Sequence, residues 1–137
     1  MVIVDDHLAL LALAGRIPDL GLAGPVVTTY GFQYRMVRAL SDSARSGALS
    51  RRLAEPATAV ARAVRPPADR LVVLDPRSSL QSAVGVAARH PANLLLAELV
   101  GAALHHRAAI RVTPENTGRT WAQIMDVEGV DFASIGP

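Results

Sequence analysis

Val2-Ile3-Val4-Asp5-Asp6-His7 runs straight into Leu8 to Ala14, and this opening decides how the chain is read. Three β-branched residues closed by carboxylates spell a short buried strand that ends on charge. Ligands of open α/β sheets sit beyond the carboxyl ends of the strands, which puts Asp5 at the rim of a cleft. Either acid could instead cap the Leu- and Ala-rich helix that follows, since a carboxylate accepts from its exposed N–H groups. A cap needs one acid and does not need it on a buried strand, so the pattern favours a functional Asp5, with Asp6 as the cap.

Working outward, 137 residues suit one domain over 1–137 with a real core. Half of the residues are apolar but only 4% are aromatic, so the core is built from Ala, Val and Leu. That composition suits helices packed on a sheet. The absence of cysteine excludes disulfides, thiolate zinc sites and a cysteine nucleophile. The apolar runs are too short to span a bilayer, and no basic flank of a secretion signal precedes them, so a cytoplasmic protein without membrane association is expected. Every basic residue is arginine, with a net charge of only +2. This balance permits nucleic-acid binding without arguing for it.

The spacing of apolar and turn residues predicts further elements. Helices are expected over Thr28-Thr29 to Leu40, Ala48 to Val64 (as one or two short helices), Ser78 to His90, and Ala92 to His106, with a last one containing Trp121. In the 48–64 stretch Leu49, Leu53, Val60 and Val64 face inward, and Arg51, Arg52, Arg62 and Arg65 outward. Strands are expected at Leu71–Leu74, Ile110–Val112 and Val130–Ile135. Tyr30, Phe32 and Tyr34 read as packing residues, one of which could stack on a base. His105 and His106 read as surface residues at a helix end. The order β-α-α-α-β-α-α-β-α-β implies a three-layer α/β/α sandwich with a short, mostly parallel central sheet.

Four pieces carry a resemblance over nearly the full length. They are Met1 to Asp5, then Asn93-Leu94-Leu95-Leu96-Ala97-Glu98-Leu99-Val100-Gly101-Ala102-Ala103, then Ala108 to Thr113-Pro114-Glu115, and finally Gly129-Val130-Asp131-Phe132. In this order they resemble the PIN-domain family, the metal-dependent nuclease fold of VapC-type toxins. The resemblance implies a toxin ribonuclease that cleaves RNA with Mg²⁺ or Mn²⁺, dimerises with itself and is covered by a cognate antitoxin. It assigns Asp5, Glu98 and Glu115 to the metal, with Thr113 orienting a carboxylate or water. Thr113 reads equally well as a helix cap. Glu98 stands out within an apolar helix, where an unpaired carboxylate is expensive to bury. It therefore faces the cleft or pairs with an arginine.

The acidic site departs from the family pattern. Asp6 stands where a small hydroxyl residue is usual, Gln33 where the second acid is expected, and Glu98 and Glu115 where aspartates are usual. Each Asp-to-Glu change moves a carboxylate by roughly 1.5 Å, and misplacement on the order of 1 Å can cost about a hundredfold in rate. A weakened or inactive PIN-fold module that binds RNA or protein is the alternative. Val-Asp-Asp-His also resembles the start of response-regulator receiver domains, with Asp75 as the imitation of their phosphoacceptor. The chain lacks the lysine that such a domain requires.

Overall fold

The computed structural model describes residues 1–42 and 56–136. In chain order they form β1 (Val2–Val4), α1 (Asp6–Leu13), β2 (Val26–Thr28), α2 (Tyr30–Ser41), α3 (Pro56–Val64) and β3 (Val72–Val73). A 3-10 turn (Pro76–Ser79), α4 (Leu80–Arg89), α5 (Leu94–His106) and β4 (Ala109–Val112) follow. A second 3-10 turn (Pro114–Asn116), α6 (Arg119–Glu128) and β5 (Phe132–Ser134) close the chain.

The five strands form one all-parallel sheet in the order β3-β2-β1-β4-β5. β1 is central, with Val4 opposite Thr28 on one side and Arg111 on the other. Its three residues are at most 1% exposed, because a parallel sheet covered by helices hides both faces. Successive side chains alternate faces. Ile3 joins a core built with α4, α5 and α6, while Val2 and Val4 join one built with α1, α2 and α3. Two helical layers and the sheet between them make a three-layer α/β/α sandwich. Each fully buried Val, Ile or Leu contributes about 1.5–3 kcal/mol relative to exposure. α4 and α5 pack so closely that a Cβ on Gly101 would stand 2.5 Å from the Ala83 nitrogen.

Several expectations are corrected. Val26–Thr28 is a strand, where the sequence pattern predicts none and starts a helix at Thr28-Thr29, so the element order gains one β. Its three residues are too short a run to show a period. Thr28 continues the strand, and Thr29 caps α2 by accepting from the Phe32 N–H at 3.3 Å. In α3 the inward face is Ala59 and Ala63 with Val60 half-buried against the same core as expected, while Val64 is 51% exposed. The α2 core face is Phe32, Met36 and Leu40, which leaves Tyr30 and Tyr34 exposed. Leu49, Arg51, Arg52 and Leu53 lie outside the described residues. No helix among the described residues is long and apolar enough to cross a membrane.

Candidate functional site at the switch point

From central β1 the chain steps outward to β2 and β3, then crosses to β4 and β5 on the other side. The topological switch point therefore lies between the carboxyl ends of β1 and β4, where open α/β sheets place their ligands. Asp5 follows β1, and Thr113 follows β4. In the flavodoxin-like order 2-1-3-4-5 the third strand is a neighbour of the first. Here β2 separates them, so Asp75 ends an edge strand away from Asp5. Asp75 is held locally by Arg77, with an Nη2–Oδ2 distance of 2.8 Å.

Asp5, rather than Asp6, is the α1 cap: its Oδ1 accepts from the Leu8 N–H at 2.9 Å. Its other oxygen reaches across the switch point. Oδ2 accepts from the Thr113 N–H at 2.7 Å, the Thr113 hydroxyl at 2.7 Å and the Asn116 side-chain amide at 2.8 Å. One carboxylate thus ties the start of α1 to the loop after β4, with 0% of the residue exposed. Thr113 makes no side-chain cap of its own. Its hydroxyl orients Asp5 instead.

Asp6 is the second buried acid. The Asn116 amide also donates to its Oδ1 at 3.0 Å, and the Arg35 Nε stands 3.4 Å from its Oδ2. Burial raises its pKa above the ordinary carboxylate range, against the opposing pull of the Arg35 and His7 charges. Arg35 comes from α2, donates through Nη1 to the Asn116 side-chain oxygen at 3.3 Å, and lies 5.8 Å over the Phe32 ring. Phe32 in turn packs on Trp121 with ring centroids 6.3 Å apart.

The other expected site residues have different surroundings. Glu98 is half-buried on α5, and its Oε1 accepts from the Gly31 N–H at 2.8 Å, in the first turn of α2. A helix N-terminus stabilises such a charge. A Cβ at Gly31 would stand 2.8 Å from that oxygen, which makes glycine the residue that lets Glu98 approach. Glu98 also lines a groove of about 420 Å³ together with Tyr30, Tyr34, Arg35, Leu94 and Leu95. Glu115 lies exposed on the 3-10 turn. Gln33 donates to the Ala63 and Val64 carbonyls at 3.0 and 3.3 Å, so it closes the end of α3. The residue that α2 sends to the acids is Arg35.

Mg²⁺ needs octahedral oxygen ligands at about 2.0–2.1 Å and is held through carboxylates with open lone pairs. Each oxygen of a carboxylate offers about two acceptor positions; in Asp5 three donors crowd Oδ2 and one occupies Oδ1. Among the described residues no three acidic or histidine side chains converge as a metal cluster would require. Asp5 and Asp6 are buried behind these donors, so a Mg²⁺ or Mn²⁺ ion would reach them only if Asn116 and Arg35 moved. Arg35 and Asn116 escape a sequence reading because an arginine on an amphipathic helix resembles any surface arginine, and Asn116 resembles a turn residue. Neither the protein-family models nor the curated protein sequences contain a match to the chain.

Proposed function

We propose that the chain is a PIN-type module, the toxin-like half of a toxin–antitoxin pair, which binds RNA at the switch-point crevice and cleaves it weakly or not at all. The observation that carries this reading is the engagement of Asp5 and Asp6 by Thr113, Asn116 and Arg35 at the place where the strand order turns. The location suits a ligand, while the donors that crowd the carboxylates leave them poorly disposed to hold a metal. The exposed part of the Arg35 fork suits a phosphate contact, and exposed Tyr30 and Tyr34 beside it offer faces for stacking bases. In this reading a cognate antitoxin covers the crevice, and a second copy of the chain is the partner of a homodimer.

A second reading, the metal-dependent endoribonuclease, is favoured by the two adjacent carboxylates at that same point. It needs Asn116 and Arg35 to release them first, with Mg²⁺ or Mn²⁺ then supplying Lewis acidity and hydroxide. The test is binding and cleavage of a mixed-sequence RNA in EDTA, Mg²⁺ and Mn²⁺, with Asp5→Asn beside the wild type. Binding in all three buffers with only trace cleavage supports the module. Cleavage that requires Mn²⁺ or Mg²⁺ and disappears in folded Asp5→Asn supports the enzyme.

A further inference from the structure

We infer that Arg35 is the resident cation of the switch-point crevice, standing in for a divalent ion so that the crevice holds an RNA phosphodiester without metal. The inference rests on the reading of this crevice as the RNA site. It starts from how the two charges are placed. The Asp6 side chain is 6% exposed, whereas that of Arg35 is 42% exposed. The guanidinium therefore turns one edge inward, through Nε to Asp6 and Nη1 to Asn116, and keeps part of its surface in solvent. A guanidinium carries five N–H donors in a planar fork that matches phosphate oxygens.

The ring beneath it is buried. Phe32 is 0% exposed and packs against Trp121 at a tilt of 53°, and a ring under the cation adds attraction of its own. The charges that act on Asp6 are those of Arg35, His7 on α1 and Asp5, and Glu98 lines the adjoining groove together with Arg35. Glu98 is engaged by the Gly31 N–H, and Asp5 is enclosed by donors, so Asp6 is the acid that Arg35 faces directly. A divalent ion would have to displace Arg35 and Asn116 together, whereas a phosphate needs only the exposed side of the fork.

Mn²⁺ titration followed by electron paramagnetic resonance tests the cation directly, and anisotropy of a labelled mixed-sequence single-stranded RNA in EDTA tests the phosphate. The wild type is expected to show no saturable Mn²⁺ binding at millimolar ion. Arg35→Gln, which leaves Asp6 without its counter-charge, is expected to bind Mn²⁺ at least roughly tenfold more tightly and RNA roughly tenfold more weakly. Wild-type Mn²⁺ binding that saturates and is unchanged in Arg35→Gln overturns the inference. Should Arg35→Gln fail to fold, Arg35→Lys carries the test: its point charge still excludes Mn²⁺ but loses the fork, so RNA binding in EDTA as tight as wild type overturns the phosphate contact. If the wild type binds no RNA in any buffer, the RNA reading falls and the phosphate site with it. The Mn²⁺ arm then decides the cation separately.

Discussion

Asp5 and Asp75 close similar stretches of sequence, Val2-Ile3-Val4-Asp5 and Leu71-Val72-Val73-Leu74-Asp75, yet the fold treats them differently. Asp5 ends the central strand, is fully buried, and accepts four hydrogen bonds from residues as far away as Asn116. Asp75 ends the edge strand, is exposed, and accepts from Arg77 two residues on. Strand order, which no local pattern encodes, separates them. A carboxylate at the switch point meets loops from both halves of the sheet, while one at the edge meets only its own turn.

The sharpest way to break this contrast is to truncate both acids. Asp5→Ala strands buried donors on Leu8, Thr113 and Asn116 and should destabilise the fold by roughly 3–5 kcal/mol in urea unfolding. Asp75→Ala should give no resolvable shift in the same assay. Equal effects would mean that the two acids are equivalent after all. Next in size is Asn116→Ala, which removes the amide that bridges Asp5, Asp6 and Arg35. A loss of about 2 kcal/mol is expected, and a neutral result would show that the bridge does not form. Thr113→Val keeps the shape and the N–H contact but deletes the hydroxyl bond, for a loss of about 1 kcal/mol.

The smallest expected effect is a pH dependence at Asp6. Burial raises its folded pKa, so the folded state holds the proton more tightly than the unfolded chain. That stabilisation is full below the unfolded carboxylate pKa and is lost as pH rises through the folded value. Asp6→Asn should therefore gain on the wild type between acidic and neutral pH, read as the difference between their unfolding free energies at each pH. A difference that runs the opposite way would mean that Arg35 outweighs burial.

Much of the fold was legible because β1, α5 and β4 are apolar enough to declare themselves, and Asp5 was visible as charge at the end of a buried strand. Less of the site could be read. β2 and β3 are too short for periodicity, so the strand order had no local signature. Glu98 was conspicuous in its apolar helix, but its partner is a backbone N–H at a glycine, which no side-chain pattern announces. The α2 residue that meets the acids lies on a different face of the helix from Gln33. Arg35 lies two positions further along and turns toward Asp6, while Gln33 turns toward α3.

The claim that the β1/β4 switch point is the working site is tested most directly by following backbone amide resonances while a mixed-sequence RNA is added in EDTA. The amides of Leu8 and Thr113 donate to Asp5, and that of Gly31 donates to Glu98, so these three report on the crevice from three elements. The account predicts saturable shifts at all three, with Arg107 to Ala109 at the opposite, amino end of β4 unmoved. Shifts confined to Arg107 to Ala109, or none at the three crevice amides when the RNA is bound, would contradict it.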